Sequence, residues 1–145
     1  MNRIDDFFAR YEQAANNFDP VLTASLYTRE FLAADPNGVS CGRNDPALAR
    51  AMSARRTLFD ALGFQQAKVL DVVATTLDEH YTMAKVHWFM RFAKAGGPAR
   101  DFRFFITYFL YDPGDGPKAA FWISHEDEQR VMREAGLIDE AGSPL

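Results

Sequence analysis

The sequence predicts an α+β fold in which a curved antiparallel sheet carries helices on its concave side. Before Gly63, most apolar residues recur every three or four positions, as in amphipathic helices. After Gly63 they alternate with a period of two, as in strands. Turn-forming residues at 95–98 and 112–117 separate the last three of these segments, which therefore form an antiparallel meander.

Three helices are predicted in the first part of the chain. The apolar residues of 4–18 lie on one helical stripe. Asp-Pro pairs at 19–20 and 45–46 are typical helix starts, because Asp can cap a helix and Pro needs no N–H in the first turn. They begin a short second helix, to about residue 27, and a third helix that ends at Gly63.

The remaining elements follow from shorter patterns. Residues 30–34 form a short strand, 35–38 a turn and 39–42 a second short strand. Ser124 begins a segment that resembles a capping box and precedes a short C-terminal helix. The four later strands are expected near 65–78, 80–94, 101–112 and 117–124.

Length and charge fit one domain spanning 1–145 and exclude several partners. The 16 basic and 20 acidic residues give a net charge of −4, so no basic stripe is available for nucleic acid. The longest apolar run, 104–111, is far shorter than the roughly 20 residues that span a membrane. A lone cysteine, Cys41, and an acidic N-terminus favour a cytoplasmic protein.

Neither a metal nor a cofactor is expected. His80 and His87 lie an odd number of residues apart on one strand, so they face opposite sides of the sheet and cannot share an ion. The glycines at 96–97 and in the 112–117 loop lie in hairpins and lack a phosphate-binding pattern.

The order of elements resembles the NTF2-like superfamily, which includes SnoaL-like cyclases and ketosteroid isomerases. The similarity covers about residues 4–126 and rests on that order, on the segment 7–19 and on 31–42 ahead of a proline-started helix. It implies a cone whose sheet wraps around the helices and often holds a small apolar molecule, and it implies a homodimer. The same fold hosts several unrelated reactions, so the resemblance names no substrate.

Two residues resemble catalytic positions of ketosteroid isomerases. Tyr11 lies where those enzymes place an oxyanion-stabilising tyrosine, and Asp35 lies in a segment similar to the one that carries their general base. Their second acid is replaced by Thr107. Each residue also has a structural explanation: Asp35 can accept a hydrogen bond within its own turn, and Tyr11 can pack in the core.

The strand faces supply the other candidate site residues. His87 either faces solvent or a second subunit, or serves as a third catalytic residue, an acid or base near neutral pH. The odd-numbered face of 101–112 mixes aromatic rings with hydroxyls, as ligand cavities do, although the even-numbered face is also apolar. Because both faces are apolar, one can cover the helices while the other packs against a second copy. The predicted ligand-binding residues are Phe105, Thr107, Phe109, Trp122 and Trp88.

Two functions are consistent with this sequence. One is cofactor-free acid–base catalysis of the isomerase, cyclase or dehydratase type on a small hydrophobic carbonyl compound, with Asp35 moving a proton and Tyr11 stabilising an oxyanion. The other is a non-catalytic dimeric domain that binds a small apolar molecule or serves as an accessory domain. Converging polar groups in the cavity favour the first, and an apolar cavity favours the second.

Overall fold

The computed structural model describes residues 2–145, and within them four helices and six strands. The helices are α1 (Arg3–Asn17), α2 (Pro20–Leu26), α3 (Pro46–Leu62) and α4 (Glu128–Glu134). The strands are β1 (Tyr27–Asp35), β2 (Gly38–Arg43), β3 (Phe64–Thr76), β4 (Tyr81–Phe92), β5 (Arg100–Tyr111) and β6 (Lys118–Ser124). All predicted elements are present, and their ends differ by a few residues from the expected ones.

Helix ends follow the capping chemistry of the sequence. The carboxylate of Asp19 accepts the N–H groups of Val21 and Leu22, and Asp45 caps α3 in the same way. Gly63 ends α3 at a φ of +83°, where a Cβ would lie 2.5 Å from the carbonyl oxygen of Ala93. At α4 the expected cap was wrong: Asp127, not Ser124, is the N-cap residue.

The strands form one open sheet in the order β2-β1-β6-β5-β4-β3. Neighbouring strands are antiparallel except β1 and β6, which pair in parallel. The parallel pair arises because α3 and the β3–β5 meander separate β1 from β6 along the chain. The α+β cone is confirmed, and its sheet is mixed rather than purely antiparallel.

The concave face of the sheet packs against the helices. Phe7 and Phe8 of α1 are buried in one core cluster with Trp88 of β4 and Tyr108 of β5. A second cluster joins α3, α4 and the end of β4. It includes Phe18, Phe59, Leu62, Phe92 and Met132. Between these two clusters the helices leave room for a cavity.

The register of β4 and β5 decides which side chains face inward. Trp88 pairs with Phe104, and His87 pairs with Phe105. Even-numbered residues of both strands therefore share the concave face. On β4 the largely apolar even-numbered residues thus point inward, and His87 lies on the convex side. On β5 the sequence favoured the odd-numbered face for the cavity and left the even-numbered face as the alternative, and the even-numbered face is the one that points inward.

Candidate functional site

A cavity of about 650 Å³ lies between the concave face of the sheet and the helices. This volume is within the usual range for sites that bind small molecules. Most of its wall is apolar and aromatic, and a few polar groups converge on it. Residues from all four helices and five strands contribute, among them Tyr11, Met52, Phe59, Met90, Phe104, Ile106, Val131 and Trp122.

Three tyrosines and a tryptophan form the polar part of the cavity wall. The hydroxyl oxygens of Tyr11 and Tyr27 lie 2.9 Å apart in a hydrogen bond. The Nε1–H of Trp88 donates to the hydroxyl of Tyr108 at 3.0 Å. The rings of Tyr11 and Tyr108 are in edge contact, with centroids 5.2 Å apart. Helix α1 and strands β1, β4 and β5 thus bring four amphipathic rings together.

These phenols remain neutral over the physiological range. Burial raises the pKa of Tyr11 well above its ordinary value, and the neighbouring Tyr108 and Tyr27 raise it further. Burial also raises the pKa values of Tyr27 and Tyr108. In Tyr27 the hydrogen bond with Tyr11 and the charge of Arg55 partly oppose this effect on the pKa. The cavity therefore presents hydroxyl groups that keep their protons.

At least one phenol proton has no acceptor within residues 2–145. The bond between Tyr11 and Tyr27 uses one of their two protons, and Tyr108 accepts from Trp88 rather than donating to it. Even if Tyr108 and Tyr11 also form a hydrogen bond, the three hydroxyls have three protons and form only two hydrogen bonds among themselves. The remaining proton is available to an oxygen or nitrogen acceptor inside the cavity.

An ion pair between α3 and α4 forms another part of the wall. The Nη1 and Nη2 atoms of Arg55 bond to the two carboxylate oxygens of Glu128 at 3.2 and 2.7 Å. The guanidinium carbon lies 4.2 Å from the ring centre of Phe59. Burial acts to lower the pKa of Arg55, and the carboxylate of Glu128 more than offsets it. A permanent positive charge therefore lies on the wall of a largely apolar cavity.

The β1–β2 turn forms the rim of the cavity. Asp35 contributes to the rim but is exposed, and its Oδ1 accepts the backbone N–H of Asn37 at 2.8 Å. The Asn37 amide donates to the carboxylate of Asp127 at 2.9 Å, which joins the turn to the start of α4. That bond, together with the N–H of Arg130, lowers the pKa of Asp127. Asp35 thus has the turn-stabilising contact expected as one of its two alternatives.

Thr23 of α2 is the buried polar side chain without a partner in the part of the chain that the structure describes. It is 3% exposed, it lines the cavity, and its hydroxyl makes no hydrogen bond there. A buried hydroxyl without a partner is unfavourable, so it is a second group that a bound molecule or water can satisfy.

Four predicted site residues lie on the convex side of the sheet. The rings of His87 and Phe105 stack there, 4.2 Å apart with 9° between their planes. The Thr107 hydroxyl bonds to Nε2 of His125 at 2.7 Å, and Phe109 stacks on Phe121. The prediction that Phe105, Thr107 and Phe109 line the cavity was wrong, and His87 is separated from Tyr11 and Asp35 by the sheet.

The other four predicted residues, Tyr11, Asp35, Trp88 and Trp122, line one cavity. Sequence reasoning missed Tyr27, Tyr108 and Arg55. For Arg55 a signal was present. It follows Met52 by three residues and precedes Phe59 by four, so a charge interrupts the apolar stripe of α3.

Residues 2–145 contain no group of three or more His, Cys, Asp or Glu side chains that could hold a metal ion. None of the helices in this part of the chain is long and apolar enough to cross a membrane.

Comparison with known proteins identifies the family. The model of the family described as NTF2-like protein (DUF6841) matches residues 2–127. The chain belongs to this NTF2-like family. A search of curated proteins finds no match to this chain.

Several solved structures have the same fold at low sequence identity. A protein from Novosphingobium aromaticivorans with a cystatin-like fold is 18% identical, with a TM-score of 0.70 over 91% of this chain and 85% of the other. Aln2 from a Streptomyces species is 14% identical, with a TM-score of 0.71 over 90% and 93%. A ketosteroid isomerase-like protein from Erwinia carotovora is 16% identical, with a TM-score of 0.61 over 85% and 92%. At these identities the likeness establishes the fold alone.

Proposed function

We propose that this NTF2-like protein binds a small, largely apolar molecule in the cone cavity, where a phenol of the Tyr11–Tyr27 pair donates a hydrogen bond to an oxygen of that molecule. The observation that carries the proposal is the phenol proton without an acceptor, on the wall of a cavity of about 650 Å³. Apolar walls supply most of the affinity, and the hydrogen bond orients the bound molecule.

Prodan, a neutral naphthyl ketone, tests this proposal because its fluorescence responds to polarity and to hydrogen bonding at the carbonyl. We expect saturable binding of one prodan per chain. Ala33→Phe places a ring in the cavity wall and should abolish binding. Leu32→Phe is the matched control, because Leu32 is the preceding residue of β1 and does not line the cavity.

The hydrogen bond is tested separately with the double variant Tyr11→Phe/Tyr27→Phe. Single variants are uninformative, since the remaining phenol keeps a proton to donate. Removing both hydroxyls should weaken prodan binding by about threefold to tenfold. Absence of saturable prodan binding, or equal binding by Ala33→Phe and Leu32→Phe, would refute occupancy of the cavity. Unchanged affinity of the double variant would refute donation by the Tyr11–Tyr27 pair and leave occupancy of the cavity untouched.

Acid–base catalysis is the second candidate, and one observation favours it: Tyr11 and Asp35 line the same cavity. In this reaction the Asp35 carboxylate removes a proton from the carbon beside a carbonyl group, and a phenol stabilises the enolate oxygen. The exposure of Asp35 and its bond to Asn37 make binding the better supported proposal, because water surrounds the carboxylate at the rim.

Exchange of the α-protons of β-tetralone in deuterated water, followed by NMR, tests the catalytic proposal. If it holds, the protein accelerates exchange, and Asp35→Asn lowers the rate by about a hundredfold or more. Asp19→Asn replaces a helix-capping carboxylate outside the cavity and serves as the control. No acceleration, or an equal rate with Asp35→Asn, would leave binding as the proposed function.

A further inference from the structure

The guanidinium of Arg55 has hydrogen-bonding capacity that the protein does not use. An arginine side chain has five N–H donors. Glu128 accepts one from Nη1 and one from Nη2, and Arg55 makes no other side-chain hydrogen bond within residues 2–145. The Nε–H and one N–H on each Nη are left. The end of the planar group is therefore paired, while its Nε edge is open.

Arg55 lies beside Phe59 on the cavity wall. The guanidinium packs over the ring of Phe59, and both residues line the cavity. Glu128, on the first turn of the short helix α4, occupies the opposite end of the group and is itself 46% exposed in its side chain. A second acidic group can therefore bind the Nε edge without displacing Glu128.

The other charged groups of the cavity wall are carboxylates at its mouth. Asp35 and Glu126 are exposed, and water screens their charge. Arg55, whose side chain is 39% exposed, supplies the positive charge of the lining, with the donors of Tyr11 and Tyr27 on the same cavity wall. A guanidinium and a phenol together suit the two oxygens of a carboxylate better than a single neutral carbonyl.

We propose that Arg55 recognises an anionic group of the bound molecule, so that the natural ligand is a small acid with an apolar body and one carboxylate-like group. This inference rests on the proposed binding function and deepens it. The acid lies with its apolar part against the aromatic wall and its anionic group on the Nε edge of Arg55.

Two fluorescent probes that differ by one charge test the inference. Anilinonaphthalene sulfonate carries an anionic group, and N-phenylnaphthylamine has the same ring system without it. We expect the unmodified protein to bind the sulfonate about tenfold or more tightly than the neutral probe, since charged hydrogen bonds are the stronger ones. Ala33→Phe should abolish binding of both and thereby identify the cavity as the site.

Arg55→Met should weaken sulfonate binding by about tenfold or more and leave the neutral probe within about twofold. Arg56→Met is the matched control, because the neighbouring Arg56 is exposed and lies near Asp60 instead of the cavity. Glu128→Gln should strengthen sulfonate binding, because it removes a nearby negative charge that repels the sulfonate. Arg55→Lys keeps the positive charge but loses the planar set of N–H donors. Its affinity for the sulfonate should therefore lie between those of Arg55→Met and the unmodified protein.

The outcomes distinguish failure of anion recognition by Arg55 from failure of ligand binding in the cavity. Equal loss of both probes in Arg55→Met, or unchanged sulfonate binding, would overturn anion recognition while the cavity remains a binding site. Binding of neither probe to the unmodified protein would overturn the proposed binding function and this inference with it. Retained binding of the neutral probe also shows that Arg55→Met is folded.

Discussion

The concave and convex faces of the sheet use similar side chains in different surroundings. On β4, Trp88 and His87 are adjacent in sequence. Trp88 is buried and donates its Nε1–H to Tyr108, whereas His87 stacks on Phe105, which is 41% exposed. On the concave face, aromatic rings pack against other rings and leave few polar partners. On the convex face, they share their surroundings with charged side chains.

Charged groups on the convex face pack over its aromatic rings. The guanidinium groups of Arg91 and Arg103 lie over the ring of Phe89, and the ammonium of Lys85 lies over Phe105. Such contacts keep aromatic side chains compatible with water. Aromatic content alone therefore does not identify the functional face. The useful criterion is whether the polar atoms between the rings have hydrogen-bond partners within the protein.

The largest difference between the faces should appear on truncation of one ring from each. Trp88→Ala removes a side chain that is 2% exposed and should lower the free energy of unfolding by about 3–5 kcal/mol. Phe105→Ala should cost the single chain less than about 1.5 kcal/mol, because the ring is 41% exposed there. Urea unfolding of both variants measures the difference, and equal losses would contradict the assignment of the faces.

High pH should destabilise the concave face in particular. The pKa values of Tyr11, Tyr27 and Tyr108 are raised in the folded protein, so the unfolded chain releases these protons first. Their stabilising contribution is complete below pH about 10 and is lost as the pH rises above it, by up to about 1.4 kcal/mol per pH unit for each phenol.

Tyrosinate absorbance followed together with circular dichroism checks this dependence on pH. Three of the five tyrosines should ionise only as the protein unfolds. Ionisation of all five while the fold is intact would show that the three concave-face phenols are not sealed from water.

Local patterns in the sequence were sufficient to predict the elements but not the inward face of each strand. Periodicity and Asp-Pro helix starts depend on neighbouring residues alone, and the helices and strands were found from them. The inward face of β5 depends on its register with β4, where Trp88 pairs with Phe104. Because both faces of β5 are mostly apolar, periodicity left the choice between the odd-numbered and the even-numbered face open.

The same limit explains which parts of the candidate site were predicted. Tyr11, Trp88 and Trp122 line the cavity as expected, and each lies on an element whose inward face was constrained by its pattern or position. Tyr108 was missed because it lies on the face of β5 that was assigned outward. Arg55 was missed because its partner Glu128 is distant in the chain, so the pairing exists only after α4 packs beside α3.

Removal of one hydroxyl from each face gives a smaller contrast. Tyr108→Phe deletes the acceptor of the Trp88 Nε1–H and leaves that donor buried, at a cost of about 1–3 kcal/mol. Tyr111→Phe is the matched control on the same strand, because its half-buried ring lies on the convex face. Urea denaturation compares the two variants. If both are as stable as the unmodified protein, the bond between Trp88 and Tyr108 contributes nothing measurable.

Assembly of two copies through the convex face is the last prediction. Its disruption should change the stability of the single chain least. We propose that this face packs against a second copy, because it exposes apolar side chains that include Val73, Tyr81 and Phe105. Sedimentation should then give twice the 16.4 kDa mass of one chain at micromolar concentration.

Phe105→Glu should shift the protein toward the mass of one chain, because it places a charge within the apolar contact. Val21→Glu should leave the mass unchanged, since Val21 is an exposed apolar residue on α2 and not on the convex face of the sheet. Ligand binding in the cavity should persist in the monomer, because the described cavity is lined within one chain. A single species of 16.4 kDa before any substitution would refute the dimer and leave the convex face as a solvated surface stabilised by its cations.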